Sequence, residues 1–422
     1  MHRAAVIVSI VTSTAAAQLG ALTPPPGPIT DTGPDLSDIS TQIDRAEPRT
    51  PLSASTTPGN AGSVFTIVNP GSYYLTADLS LFGINGIEIA AEDVTIDLNG
   101  FTIFGDNARV KGITNDGAAN ASNIEIRNGA INGCDDAGID LTQSGTSRFV
   151  VRDVRVINGG SGIRVGPDSR VLGCLADSNS SVGISVRDRS RVIDCIANNN
   201  GSSGVSTSRE AFVSGCSATA NGGSGIGTLE DSVVENCFVH ESGSNGISVS
   251  FGSVVRDSTA NESTFIGIST STSCSVIRCT AKSNASNGIV VGNSSTVTDC
   301  VASVNSRHGI EAFADSYIAR NHCDSNGTDV SFTGAGIFIS GSDNRIEANS
   351  VADGENGIQL NGTGNLIIRN SVARTTSTEY IIPAANRYGR IVDLRSSATV
   401  AVSGASATST LTTSDPWANF AY

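Results

Sequence analysis

Three groupings of side chains in this sequence are of types that do chemistry. The first is rich in arginine. Arg148, Arg152, Arg155, Arg164, Arg170, Arg187, Arg189 and Arg191 fall in one stretch, in a chain where Arg outnumbers Lys 24 to 2. A uronate lyase needs a cation to hold the sugar carboxylate and a base to take the acidic ring proton. Arg164 and Arg187 are candidates for that work, with Arg189 as a binding residue. Asp153, Asp168, Asp177, Asp188 and Asp194 are interspersed, so a salt-bridged surface accounts for the same residues. The second grouping is Asp135 and Asp136, near Asp140. A glycosidase needs two carboxyls across the scissile bond, one to protonate the leaving group and one as nucleophile or base. Two aspartates shortly before a glycine also make an ordinary turn. The third is histidine. His308, with Glu311 and His322 as binding residues, lies near a longer segment from Asp324 to Thr333, and His240 adjoins Glu241. A solvated surface histidine is the plainer account. Phe238 is a candidate for stacking on a sugar ring. No set of residues has metal-ligand spacing, and no CxxC pair occurs.

Composition narrows the classes these residues could serve. The chain has 422 residues, 46 of them glycine, with one Met and one Trp. Its formal net charge of -14 argues against nucleic acid, whose phosphates need a basic surface. It also argues against polyanionic glycans unless calcium bridges them. Residues 1–17 combine a short basic start, an apolar middle and small residues before Gln18, the pattern of a secretory signal peptide. No later apolar run is long enough for a membrane helix. Residues 18–60 are rich in Pro, Ser, Thr and Asp and are expected to be a leader or linker. The expected location is outside the cell, at its surface or in the periplasm.

The body from 61 to 403 is one repeat. Gly followed by Ile or Val recurs every 21 residues at Gly162, Gly183, Gly204, Gly225, Gly246, Gly267, Gly288 and Gly309. The same pair stands at Gly86, Gly112 and Gly138 before this run and at Gly336 and Gly357 after it. That makes about thirteen turns of a solenoid, each burying its face against its neighbours. Apolar residues recur one, nine and fourteen positions after each glycine in short alternating segments, which is strand patterning. Cys174, Cys195, Cys216, Cys237, Cys279 and Cys300 occupy the twelfth position, broken only by Ser258. Stacked strands hold such positions about 4.8 Å apart, a little beyond disulfide reach, so the column is expected to be small buried hydrophobes. Asn179, Asn200, Asn221, Asn284, Asn305 and Asn326 occupy the seventeenth position, with Ser242 and Ser263 between them. Stacked there, each amide can bond to its counterpart one turn away. Residues 404–422 form a tail that is either loose or laid back on the coil.

The pattern resembles the bacterial secreted right-handed parallel β-helix repeat proteins of the pectate-lyase-like superfold. The matching stretches include Gly71-Ser-Tyr-Tyr-Leu-Thr-Ala-Asp-Leu79, Ile87 to Ile103, Asn365 to Ser371 and Ile382 to Gly389. The resemblance implies an all-β, single-stranded right-handed parallel β-helix, and handedness rests on it alone. It also implies a polysaccharide as partner, met on one outward strand face. Lyases of this superfold share the work between calcium and an Arg, so a lyase would call for calcium; no other cofactor is expected. Its polygalacturonases carry Asn-x-Asp, Asp-Asp and Gly-His-Gly in order, and only an Asp-Asp element is present here. Two functions follow: an extracellular polysaccharide lyase or hydrolase, or a non-catalytic envelope or matrix protein that binds glycans or protein partners. Oligomeric state is left open.

Overall fold

The 21-residue period folds as three short strands separated by three corners. In one coil these are Ile184–Val186, Arg191–Ile193 and Ile196–Asn198. Each strand pairs in parallel with its equivalent in the coils before and after it, so that Ile163, Ile184 and Val205 stand in register. The first strands form a 16-stranded sheet, and the second and third strands together form a 31-stranded one. A computed structural model of the chain describes residues 48–106, 109–118, 121–329, 333–395, 401–404, 408–409 and 414–422. The expected signal peptide at 1–17 and most of the expected leader at 18–60 lie outside them. Within the described residues Thr50–Pro51 pairs with Tyr73–Tyr74. Near the other end, Asn419–Ala421 pairs with strands beginning at Ser371 and Ile391.

The expectation of an all-β parallel solenoid holds; the coil count does not. Sixteen first strands exist, where the glycine marker predicts about thirteen. The additional ones are Ser63–Ile67, Thr378–Ile382 and Val402–Gly404. None begins with the Gly-Ile or Gly-Val pair.

Corners are built by one device used three times. In the eight regular coils the residues six, eleven and sixteen positions after the marker glycine all have positive φ, as at Arg189, Asp194 and Asn199 with φ of 56°, 53° and 53°. The left-handed conformation reverses the chain without a long loop. The residue after each left-handed one points inward. It closes hydrogen bonds that a bent backbone cannot make for itself. At the third corner this residue is the asparagine. Asn305 Nδ2 donates to Ala281 O (3.1 Å) and Asn326 Oδ1 (2.9 Å), and its Oδ1 accepts from the Asn284 backbone N–H (3.1 Å) and Nδ2 (2.9 Å). At the first corner it is serine, as where Ser190 Oγ accepts from the Ser169 N–H at 3.0 Å.

At the second corner the inward residue is cysteine. The thiol of Cys300 donates to Val276 O (3.5 Å) and Thr298 O (3.2 Å), and its sulfur accepts from the Cys279 N–H at 3.4 Å. Ser258 and Asn321 take the same role in this column. The reading of these cysteines as plain hydrophobes is therefore incomplete: they are small buried donors at a corner. All nine cysteines are buried and unpaired. Cys274, which lies outside that column, belongs to the serine column and donates to Ser250 O at 3.1 Å. Burial pushes the thiols of Cys134 (to about 12) and Cys323 up, so neither is a ready nucleophile.

The marker glycines do not supply turn dihedrals. A Cβ on Gly183 would lie 2.6 Å from Asn200 Nδ2 and 2.7 Å from Gly204 O. Glycine is needed because the asparagine amide and the next coil's backbone fill the place of a side chain.

Replacing Asn305 by Ala takes the side-chain partner from the buried Asn284 N–H and the Ala281 carbonyl of the preceding coil and is expected to cost about 1–3 kcal/mol. The reverse change is available where the column is interrupted. The buried hydroxyls of Ser242 and Ser263 have no partner, so Ser263→Asn should raise the denaturation midpoint. Urea unfolding followed by circular dichroism measures both; a lowered midpoint for Ser263→Asn would contradict the ladder account.

Candidate functional site

The outward face of the first-strand sheet carries a column two residues after each marker glycine. In register it runs Glu88, Thr114, Asp140, Arg164, Ser185, Ser206. The charged members cluster in the early coils, where the spacing is longer than 21. Asp140 has a side chain only 5% exposed and receives Arg164 Nη2 at 2.7 Å and Lys111 Nζ at 2.8 Å. Arg164 also reaches Asp136 at 3.2 Å, and Lys111 reaches Asp116 at 2.6 Å. Thr142 Oγ1 donates to Asp140 at 2.6 Å. Burial alone would raise the Asp140 carboxyl, but bonds from Lys111 and Thr142 and the charges of Arg164 and Lys111 outweigh it and hold the group below the usual range. Burial alone would lower Lys111; bonds to Asp116 and Asp140 raise it instead. All members of this cluster whose titration moves are thus held in their charged forms. A calcium ion here would face Lys111 and Arg164 at contact distance, so the donor set does not suit one.

The loops that follow these strands open a polar cleft of about 580 Å³. It is lined by Gln143, Thr146, Asp168, Arg187, Asp188 and Ser208 among others. Arg187 is exposed and makes no ion pair among the described residues. Beyond it the outward column continues with small residues, Ser206, Gly227, Ser248 and Ser269, a smooth track along the coil.

The candidates from the sequence separate as follows. Arg164 and Asp136 come together directly, and Arg164 also holds Asp140. Asp135 is exposed beside them. Arg187 lines the cleft, whereas Arg189 turns to Asp168 in a two-pronged ion pair (2.7 and 3.0 Å). His308 and His322 are not brought together, contrary to their expected grouping, because His308 stands in the corner before the first strand Ile310–Ala312 while His322 is on the third strand of that coil. His322 is exposed on a third strand, paired with Val301 and Ser350. His308 is buried, its Nδ1 accepting the Ala335 N–H at 3.1 Å and its ring stacked on Phe338 at 4.4 Å. Burial lowers its pKa to about 4, with the charge of Arg307 assisting. Glu311 accepts from Asn287 Nδ2 at 2.6 Å. Phe238 is exposed between Ser217 and Thr259, with no aromatic neighbour in its column. Sequence reasoning missed Lys111. The signal for it is weak: it is one of two lysines, one residue before a marker glycine. Among the described residues, His240, Glu241 and Glu262 place ligand atoms within 4.8 Å of one another, an exposed group of a kind common on surfaces.

His308 makes a pH prediction. Its folded pKa lies below the unfolded value of about 6.5, so the unfolded chain binds the extra proton. Stability is then full above pH 6.5 and is lost as pH falls toward 4, by up to about 3 kcal/mol. His308→Gln should flatten the unfolding midpoint across this window. Separately, Asp140→Ala leaves two cations facing each other and should cost about 3 kcal/mol, measurable by urea unfolding at pH 7.

No curated protein sequence matches this chain. Solved structures with a similar coil include the A-module of mannuronan C-5 epimerase AlgE4 from Azotobacter vinelandii, at 16% identity and a TM-score of 0.39, covering 72% of this chain and 87% of that one. The periplasmic alginate epimerase AlgG is similar at 12% identity and a TM-score of 0.43, covering 78% and 82%. Tailspike protein 3 of bacteriophage CBA120 is similar at 11% and 0.42, covering 78% and 58%. The family described as the right handed beta helix region matches residues 160–281, 192–322 and 264–411. That span is more than half of the chain and coincides with the regular coils, whose period, parallel pairing and stacked corners are those of such a helix: the protein belongs to the right-handed β-helix family.

Proposed function

We propose that this is a secreted, polysaccharide-associated β-helix protein that holds an extended glycan along the outward face of its first-strand sheet. The observation that carries the reading is the polar cleft at Arg187, opening from the loops beside the Lys111–Asp140–Arg164 cluster and leading onto the serine track. A cleft lined by Gln143, Thr146, Arg187 and Ser208 offers the mixed donors and acceptors that hydroxyl-rich ligands require. The track then leaves room for further sugar units in line.

Binding is better supported than hydrolysis. Acid catalysis of glycoside cleavage needs a carboxyl held up in its protonated form, and Asp140 is held down by two cations. Arg187 supports a lyase as the second reading, since a guanidinium without an ion-pair partner could hold a uronate carboxylate. Arg has too high a pKa to act as the base without a special site, and the carboxylates beside Arg187 are engaged elsewhere, Asp168 with Arg189 and Asp188 with the Arg209 N–H.

The test is a panel of neutral and acidic polysaccharides, with and without calcium, read by affinity electrophoresis and by assay of unsaturated and reducing-end products. Retardation by at least one glycan, weakened about tenfold or more in Arg187→Ala, is expected without product release. Absence of any retardation across the panel would overturn the reading. Product formation abolished in Arg187→Ala would replace it with the lyase.

A further inference from the structure

A second cleft lies at the C-terminal end of the coil, on the face formed by the second strands. There Arg345, Leu366 and Arg387 stand in register on successive coils. The C-terminal segment crosses beside them. Its Trp417 carbonyl accepts the Arg369 N–H at 3.3 Å, and Pro416 O accepts from Arg369 Nε at 3.1 Å. Trp417 thereby closes one side of a cleft of about 460 Å³, lined also by Tyr388, Arg390 and Asp415. That volume falls within the usual range of small-molecule sites, about 300–1,000 Å³.

The cations here are not equivalent. Arg345 is matched by Glu347 at 2.7 Å. Arg369 is also matched by Glu347, at 3.2 Å, and its guanidinium lies over the Trp417 ring at 4.2 Å. Asp415 accepts the Trp417 N–H at 2.9 Å. Arg387 and Arg390 are exposed and make no ion pair among the described residues. Two unmatched guanidiniums therefore face a cleft walled by an indole that is still 46% exposed and by a half-buried phenol. In a chain of net charge -14, this is a local concentration of positive charge.

We propose that this cleft binds an acidic sugar residue, with Arg387 and Arg390 on its carboxylate and Trp417 and Tyr388 against its ring. The two chemistries define the ligand jointly. Guanidiniums read a planar carboxylate through paired N–H bonds, while an exposed indole and phenol pack against the C–H face of a pyranose and leave its hydroxyls wet. A bare anion would leave the aromatic wall unused, and a neutral sugar would leave the arginines unused. The site lies nine coils beyond Arg187, about 40 Å away at about 4.8 Å per coil. It therefore stands or falls independently of the proposed glycan track.

Trp417 is the only tryptophan in the chain, so intrinsic tryptophan fluorescence reports this cleft and nothing else. Titration with tetragalacturonate, paired with calorimetry, is expected to give a saturable change that weakens with added sodium chloride. Arg387→Ala and Arg390→Ala, both at exposed positions, should each weaken the Kd read from Trp417 fluorescence about tenfold or more, whereas Arg278→Ala, in an exposed ion pair on a middle coil, should leave it unchanged. Cellotetraose and inorganic phosphate should give no comparable signal. No saturable response to tetragalacturonate by either measurement would overturn the proposal. So would an equal response to cellotetraose or phosphate, or an unchanged Kd in both arginine variants. Loss of the signal in Arg278→Ala would overturn it likewise.

Discussion

A parallel coil has to turn three corners in every 21 residues while keeping the backbone polar groups at those corners satisfied in a dry interior. The rest of this structure depends on how that is done. A left-handed residue makes each bend, and the next residue turns inward to bond the coil before or after it. Serine serves at the first corner, cysteine at the second and asparagine at the third, each with its own reach to neighbouring carbonyls and N–H groups. Because a buried unpaired amide is costly, most positions of each corner column carry a side chain that bonds across coils; Ala211, Ser242 and Ser263 are the breaks. The marker glycines follow from the same demand, since Gly183 sits where the Asn200 amide needs space.

The outside of the coil obeys a related rule. Residues one coil apart are close neighbours, so charges there come in pairs across coils. Asp168–Arg189, Asp257–Arg278, Asp299–Arg320 and Asp353–Arg374 are all 21 residues apart. Each is exposed and individually worth little, but together they explain why an arginine-rich stretch need not be catalytic. Against that background, guanidiniums left unmatched beside clefts are the informative ones. Arg187, Arg387 and Arg390 are in this class, the first in an early coil and the other two near the last. The Lys111–Asp140–Arg164 cluster is intermediate. Its charges are matched, yet it arises where the spacing departs from 21 and displaces the regular pairing.

Some chemistry was legible in the residues and some was not. Arg164 and Asp136 were identifiable from composition and do meet, but the stronger partner of Arg164 is Asp140, whose burial no spacing argument could reveal. His308 looked like a loop-borne acid–base group and is instead a neutral core histidine under Phe338. It precedes a marker glycine, the position whose side chains lie against the next coil. Three coils at the ends escaped the glycine marker because their first strands carry other residues at that position.

The linear sequence by itself determined the period, the parallel coil and the inward columns, because a repeating contact imposes the same small set of residues at each turn. It could not show the left-handed corners, which are occupied by Arg189, Ala220 and even Val304 as well as Gly173; the requirement there is on backbone shape, and the side chain points to solvent. Nor could it show which outward charges remain unmatched. That depends on the register between coils of unequal length and on where the last strand, Asn419–Ala421, lies down. Only the tertiary structure decides those, since outward residues do not recur and each pair is set by two coils meeting once.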